Sequence, residues 1–532
     1  MQDQKAALKE QAKGLPSIDL RGTPLCVLEL LMAGYWAPLK GYLGQADAES
    51  VLSAQRLADS SPWSFPVLLG VSAKVAATMP VGKMVALRDP EGVLLALLTV
   101  DDVWSAGSLS QNAAKELLAL GHDSEVYLGG PVQGVEFPAH YDFAELRLMP
   151  EELRGQFGKR GWRRVLACQP SDIIHRAEAA RIVHASRVAQ ANILVQALVT
   201  EDQTITLGHY TRIRCLEHAL RYLPERSTLL SVMPIPEVSA AGREVLWRAL
   251  LARNSGATHL LVEPQWWHGV EGERRQTVIA LAREAGIELV DLPCFARDAA
   301  LGAYLPVPNA VDVPQPEQGT AEVIRRVRGG LEVPDWLSFP EVVDELRRSH
   351  PVRGRQGVTV FFTGLSGAGK STIARVLLAK LLEIGERTVT LLDGDVVRKH
   401  LSSELGFSRE HRDLNIQRIG FVASEITKHG GIAICAPIAP YRATRRKVRQ
   451  MVEDHGGFFE VHVSTPLETC ESRDRKGLYA KARSGLIKEF TGISDPYEVP
   501  EHPELSIDTR ECTPMEAAQM IATRLETDGF IG

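Results

Sequence analysis

The run Gly364-Leu365-Ser366-Gly367-Ala368-Gly369-Lys370-Ser371 follows the apolar stretch Val358-Thr359-Val360-Phe361-Phe362 and opens a helix-patterned segment from Thr372 to Ile384. Strand, glycine loop and helix in that order build a cradle for phosphates. Glycines let backbone N–H groups converge on an anion, Lys370 lies against the β/γ oxygens, and the Ser371 hydroxyl joins the shell of a Mg²⁺ ion. Gly364, Ser366, Gly367, Ala368, Gly369, Lys370, Ser371 and Thr372 are therefore the expected triphosphate set. The chain is expected to bind a nucleoside triphosphate together with Mg²⁺.

Working outward, 532 residues are enough for two to four domains with real cores. Charged residues make up 24% and hydrophobic ones 45%, the balance of a globular chain rather than a disordered one. A net charge of -6 argues against a nucleic-acid or anionic-membrane partner held by bulk electrostatics. The seven cysteines are scattered and never spaced C-x-x-C, so neither a disulfide framework nor a zinc site is expected. The N-terminus is followed by no apolar segment of export type, and the longest apolar run, near Val93 to Val100, is too short to span a bilayer. A cytoplasmic location with no membrane partner is the expectation.

Short apolar runs such as Pro66-Val67-Leu68-Leu69 and Val93-Leu94-Leu95-Ala96-Leu97-Leu98, broken by Gly, Pro and Asp turns, predict a β-rich domain over residues 1–145. From 146 to 300, strand-like Val165-Leu166-Ala167-Cys168 and His259-Leu260-Leu261-Val262 alternate with helix-like stretches such as Arg243 to Arg253, the pattern of βα units around a parallel sheet. A Pro-rich segment, Pro306-Val307-Pro308 through Pro314-Gln315-Pro316, leads into a small connecting region over 301–350, and the basic stretch 351–357 reads as a solvated hinge into the last domain, 351–532.

In that last domain Ala374, Leu377, Leu378, Leu381 and Leu382 are expected on one helix face, with Gly385 stopping the helix. The next strand, Thr388-Val389-Thr390-Leu391-Leu392, runs into Asp393-Gly394-Asp395. Carboxylates at the carboxyl end of such a strand sit where ligands bind, and phosphoryl transfer needs them to accept a hydroxyl proton and to organise Mg²⁺.

Asp393-Gly394-Asp395-x-x-Arg398, Gly406-Phe407-Ser408, Arg412-x-x-Asn415-Ile416, Pro440-Tyr441-Arg442, Arg473-Asp474-x-Lys476-Gly477-Leu478-Tyr479, Phe490-Thr491-Gly492-Ile493 and Pro496-Tyr497-Glu498 together resemble adenylylsulfate (APS) kinase. The resemblance covers about 180 residues in seven ordered motifs. It implies transfer of the ATP γ-phosphoryl to the 3′-hydroxyl of APS, giving 3′-phosphoadenylylsulfate (PAPS) and ADP. It also implies roles: Asp395 as base, Lys370 and Asp393 beside it in the catalytic set, and Asp393 acting on Mg²⁺ through water. Arg398, Arg412, Asn415 and Ile438 would line the APS site with Asp395, Phe407 and Phe490 would sandwich its adenine, and Lys476 would lie in a lid. Arg473 and Cys512 would flank the ATP adenine. Where the family commonly reads Ile-Ser-Pro-Tyr-Arg this chain has Ile438-Ala439-Pro440-Tyr441-Arg442. Alanine has no hydroxyl to carry a phosphoryl group, so transfer is expected to be direct and in line.

Earlier in the chain, Ala37-Pro38-Leu39-Lys40-Gly41-Tyr42, Tyr127-Leu128-Gly129-Gly130-Pro131, Arg243-Glu244 and Asn254-Ser255-Gly256-Ala257-Thr258-His259 resemble ATP sulfurylase, which makes APS from ATP and sulfate. The two resemblances imply a PUA-like β-rich domain, an α/β nucleotidyltransferase-like domain and a C-terminal P-loop kinase domain with a parallel sheet. The sulfurylase signatures, however, are degraded. Gln-Thr-Arg-Asn-Pro-x-His-Arg-Ala-His has become Gln169-Pro170-Ser171-Asp172-Ile173-Ile174-His175-Arg176-Ala177-Glu178. Gly-Arg-Asp-His-Ala aligns with Glu263-Pro264-Gln265-Trp266-Trp267, and Met-Arg-Tyr-Ala-Gly-Pro-Arg-Glu aligns with the segment from Glu237 to Glu244, where Val238 replaces an arginine.

Sulfate attacking the α-phosphorus of ATP gathers negative charge that cationic donors must stabilise, and each lost donor costs about 3 to 4 kcal/mol. Sulfurylase activity is therefore expected to be absent, with His175 and Arg176 persisting as scaffold, hydrogen-bonded or paired with an acid. Trp266-Trp267-His268 would either fill the vacated pocket or form a contact surface. The expected whole is an APS kinase on a sulfurylase-like scaffold, a homo-oligomer as the resemblance implies, with a bifunctional enzyme and a non-catalytic nucleotide-binding regulator as the alternatives.

Overall fold

The computed structural model describes residues 2–200, 207–236, 243–270, 272–307, 316–385, 387–406, 408–474 and 477–531, without the side chains of 2–4, 207, 316–318 and 395. Its contacts divide into two units, Met1–Val327 with Leu331–Ser349, and Arg328–Gly330 with His350–Gly532.

The first unit begins with a seven-stranded sheet whose hub is the strand Val126–Gly134, paired on its edges with Leu94–Thr99, Gly41–Tyr42, Leu69–Val71 and Asp102–Trp104. Gly41 lies opposite Pro131 and Tyr42 opposite Gly130. The approach is so close that a Cβ on Gly41 would stand 2.0 Å from the Gly130 carbonyl oxygen, which only glycine permits. A five-stranded parallel sheet follows, in the order Thr228–Pro234, Asn192–Val199, Val165–Cys168, His259–Val262, Glu288–Asp291. Trp36, Trp63, Phe65 and Trp247 pack ring against ring, with centroids 4.9 to 6.3 Å apart, so the β-rich and α/β parts share one apolar core. The helix Pro340–Ser349 packs on Leu207–Leu220 and sends Val342, Val343 and Leu346 into a second core, on which Phe339 also closes.

The second unit is a five-stranded parallel sheet ordered Val389–Asp393, Ile432–Ala436, Val358–Thr363, Gly457–Val463, Leu505–Ile507. Every residue of Val358–Thr363 is buried, as a central strand covered on both faces requires. The helix Lys370–Ile384 buries Ile373, Ala374, Leu377 and Leu381 and stops at Gly385, whose φ of 73° is the left-handed stop read from the sequence. Leu382 is 54% exposed, against the expectation, because it lies past the edge of the stripe that Ala374, Leu377 and Leu381 define.

Candidate functional site

Two strands of the second unit deliver the site. Val358–Thr363 ends in the glycine loop, whose shape depends on positive φ: Gly364 at 144° approaches the Val463 carbonyl so closely that a Cβ would lie 2.5 Å from its oxygen, and Gly369 at 109° begins the helix Lys370–Ile384. The loop is braced from several sides. Tyr479 Oη donates to the Ser366 carbonyl at 2.8 Å, the Thr465 and Thr509 hydroxyls each donate to the Ala368 carbonyl at 3.1 Å, and the Gly364 N–H donates to the Ile438 carbonyl at 3.3 Å. Lys370 is buried, and its Nζ donates to the carbonyls of Gly364 at 2.8 Å and Leu365 at 2.7 Å. Its ammonium is thus already parked along the loop.

Val389–Asp393, two strands away, brings Asp393 beside the helix start, where Ser371 Oγ donates to its Oδ1 at 3.3 Å and Arg375 Nη2 to its Oδ2 at 3.4 Å. Hydroxyl and carboxylate oxygens side by side are hard ligands of the kind Mg²⁺ takes through its water shell, so the donor set fits that ion. Asp395 begins the next helix, Gly394–His400, but its side chain lies outside the described residues, as do Phe407, Lys476 and Val238.

The expected acceptor residues stand on the other side. Arg412 Nη1 donates to Thr491 Oγ1 at 2.8 Å and Asp495 Oδ2 at 3.0 Å, while its Nε and Nη2 are buried without a hydrogen-bond partner among the described residues. Asn415 Oδ1, one helical turn on, is likewise buried and unpartnered. Arg398 Nη1 reaches the Gly406 carbonyl at 3.2 Å, and Phe490 packs edge-on against Tyr479, 5.0 Å between centroids. A cavity of about 580 Å³ lies between Leu365 of the loop and the segment from Gly492 to Tyr497. Arg473 donates to Thr509 Oγ1 at 2.8 Å, and Cys512 lies partly buried against the same core. Tyr441 and Tyr479 stand in motifs read from the sequence without a role of their own, and Thr509 and Asp495 were not singled out; for Asp495 only the neighbouring motif positions gave a signal.

The first unit tells a different story at its degraded signatures. His175 is buried between two hydroxyls, Ser338 Oγ at 2.8 Å from Nδ1 and Thr320 Oγ1 at 3.0 Å from Nε2, and burial pushes its pKa down to about 4. A neutral imidazole offers no charge to a phosphate. The Arg176 guanidinium lies over the rings of Phe339, 4.7 Å, and Tyr222, 5.3 Å, so the pair is held by hydroxyls and aromatic faces rather than by an acid.

Several of the replaced positions find partners within the unit. Gln265 Nε2 donates to Ser171 Oγ at 3.0 Å, and Asp172 accepts the N–H of Ile173 at 2.7 Å in its own turn. Glu178 and Glu263 share Arg181, which donates to Glu178 through Nε and Nη2 at 2.9 Å each and to Glu263 through Nη2 at 2.5 Å. Burial and the neighbouring Glu178 push the Glu263 carboxyl up to about 8, whereas Glu178 and Glu263 raise the Arg181 pKa despite its burial. Gln169 is buried and donates to Gln196 at 3.0 Å. Pro264 opens the short turn Pro264–Trp267, in which Trp266 and Trp267 are buried, with Arg248 4.6 Å over the first ring and Arg275 4.5 Å over the second. The tryptophans therefore belong to the interior, not to a contact surface.

Comparisons with known proteins find both kinds of domain in the chain. The family models for the PUA-like domain, ATP-sulfurylase and adenylylsulphate kinase match residues 1–136, 144–266 and 356–508. A sulfate adenylyltransferase of Phaeosphaeria nodorum is 39% identical over 550 residues, covering 98% of this chain and 96% of its own, and one of Aspergillus oryzae is 40% identical over 562, covering 99% and 96%. Among solved structures, a hexameric APS kinase from Thiobacillus denitrificans superposes with a TM-score of 0.81 at 42% identity, covering 100% of this chain and 97% of that one. The chain belongs to the family in which a PUA-like domain and an ATP-sulfurylase domain are joined to a C-terminal adenylylsulfate kinase domain.

Proposed function

We propose that the chain is an APS kinase whose sulfurylase-like front has lost sulfate adenylation. The observation that carries the kinase half is the set of buried atoms Nε and Nη2 of Arg412 and Oδ1 of Asn415, which have no partner among the described residues and leave hydrogen-bonding capacity for a polar, anionic acceptor in a unit that also holds the braced glycine loop. ATP would lie along Gly364 to Thr372 with Lys370 on its outer phosphates. Mg²⁺, held from Ser371 and through water from Asp393, neutralises phosphate charge when bound. Asp395 would accept the proton of the APS 3′-hydroxyl, and Arg398, Arg412 and Asn415 would hold the phosphosulfate and ribose. Ala439 leaves the loop no hydroxyl there for a phosphoenzyme. Asp395→Asn is expected to lower PAPS formation about 10² to 10³-fold, read by ADP release with APS as acceptor. Turnover at the wild-type level in that variant would remove the base assignment.

Loss of adenylation rests on the mutual pairing at the front site: two signature positions now carry carboxylates tied to Arg181, and the retained histidine is neutral. The names of the fungal relatives favour the second reading, a bifunctional enzyme. One experiment separates them. Purified chain with ATP and Mg²⁺ should give PAPS from APS and none from sulfate, and should make no ATP from APS and pyrophosphate. Ser171→Arg alone should not create that activity, because Pro264 and Val238 still stand where the signatures carry arginine. Pyrophosphate-dependent ATP formation at rates comparable with the kinase would establish the bifunctional reading instead.

A further inference from the structure

The turn from Phe490 to Asp495 carries one carboxylate that the APS kinase assignment leaves without a role. Asp495 Oδ2 accepts two donors at once, Tyr441 Oη at 2.7 Å and Arg412 Nη1 at 3.0 Å. Thr491 Oγ1 takes the same Arg412 nitrogen at 2.8 Å, so one edge of the guanidinium is pinned from a single turn. The backbone of that turn is closed by Asp495 as well: its N–H donates to the Phe490 carbonyl at 3.1 Å and its carbonyl accepts the Gly492 N–H at 2.7 Å. The Tyr441 ring lies under two cations, 4.5 Å from the Arg409 guanidinium and 5.5 Å from that of Arg412. Burial and the bond to Asp495 push the Tyr441 hydroxyl up to about 12, which keeps it a donor.

What the pinned edge leaves over is informative. Nε and Nη2 of Arg412, and Oδ1 of Asn415 on the same helix Arg409–Lys428, are buried and have no hydrogen-bond partner among the described residues. Donors shut away from water without an acceptor each cost about 1 to 3 kcal/mol, so an arrangement that spends one edge on Asp495 and starves the other is built for a ligand atom. An arginine not anchored at one edge samples many rotamers; anchored, it offers a fixed fork. Asp495 itself lines the cavity that opens toward Leu365 of the glycine loop.

We propose that Asp495 is a positioning residue for the acceptor substrate. Its carboxylate sets the Arg412 guanidinium, with Tyr441 as the second strut, so that Nε and Nη2 meet an anionic phosphosulfate as a preformed pair. The inference rests on the APS kinase reading and adds to it the group that orients the acceptor's cation.

Steady-state kinetics on the full-length chain test it. Asp495→Asn keeps the shape and removes the charge that fixes Arg412; the KM for APS is expected to rise tenfold or more, with the KM for ATP unchanged and kcat within about threefold. A purely structural role would instead shift both substrates and kcat together. In an Arg412→Lys background, which lacks the second guanidinium edge, Asp495→Asn is expected to add less than a further twofold, because the carboxylate acts through that edge. Tyr441→Phe, which leaves the Asp495 to Arg412 contact in place, is expected to raise the APS KM by about two- to fivefold and serves if Asp495→Asn does not fold. An APS KM within twofold of wild type in Asp495→Asn, or in Tyr441→Phe if only that variant is soluble, overturns the proposal, as does an equal effect of Asp495→Asn in both backgrounds. A wild-type chain that makes no PAPS from APS defeats the kinase reading by itself, whereas normal wild-type turnover with an indifferent Asp495 defeats only this inference.

Discussion

Lys370→Ala is expected to lower kcat/KM for ATP in PAPS formation by about 10³, a loss of about 4 kcal/mol in transition-state stabilisation. The side chain is buried along its loop, with Nζ within 2.8 Å of two loop carbonyls, so little rearrangement separates its resting place from a bound triphosphate. Phosphoryl transfer leaves a protein mainly positioning and charge neutralisation to supply, and an ammonium at the β/γ oxygens supplies both. Arginine is not a substitute: its planar fork replaces a compact point charge, and Lys370→Arg should lose about 10². Coupled ADP-release assays at saturating APS read both variants, with thermal melting to confirm that the second unit still folds. Activity of Lys370→Ala within tenfold of wild type would mean that the triphosphate does not lie along this loop.

How far such reasoning could go from sequence differs between the two units. The glycine loop announces itself because one short segment contains strand, turn and helix, and all three are local; the strand Val358–Thr363 and the helix Lys370–Ile384 begin and end within two residues of the expected limits. Val165–Cys168 and His259–Val262 were equally plain, being short apolar runs bounded by polar residues. Pro66 to Leu69 was not: only Leu69 enters a strand, although Val67 and Leu68 are buried. A buried loop and a buried strand have the same apolar signature, and periodicity cannot part them over four residues.

Other motifs were visible as resemblance but mute about their reason. Ala37 to Tyr42, Tyr127 to Pro131 and the Asn254 segment meet in space: Gly41 faces Pro131, and Asn254 Nδ2 donates to the carbonyls of Tyr35 at 2.7 Å and Ala37 at 2.8 Å. They hold the scaffold together. The partner of the two new carboxylates was harder to see. Glu178 and Arg181 are three apart on one helix, a spacing that sequence shows, but Glu263 comes from a strand end 82 residues later and only the fold brings it to the same guanidinium.

That guanidinium makes the second large effect. Arg181 is 1% exposed and is the only cation seen bonding to either Glu178 or Glu263 among the described residues. Above about pH 8, where Glu263 carries its charge, Arg181→Met would leave two carboxylates in the interior facing each other, and breaking a buried ion pair from the cationic side costs about 3 to 5 kcal/mol. For a unit of this size the melting temperature should fall by on the order of 10 °C. Calorimetry on the full chain separates the units, because Mg²⁺ and ATP raise only a transition that binds them.

Glu263→Gln is the opposite case. Amide oxygen still accepts from Arg181, and the interior loses a charge only above about pH 8, so stability should hold below that pH and rise above it. The pH profile distinguishes the two accounts. The Glu263 carboxyl is pushed up to about 8 in the folded chain, so the folded state keeps a proton that the unfolded state releases near 4.5. Its contribution to stability is complete below about pH 4.5 and declines as pH rises through about 8; in Glu263→Gln that decline should vanish. A first unit in Arg181→Met that melts within 2 °C of wild type would show the carboxylates to be protonated or solvated already. The Arg181 pairing would then be no part of what stabilises the fold, and the proposed loss of sulfate adenylation would rest on the lost donors alone.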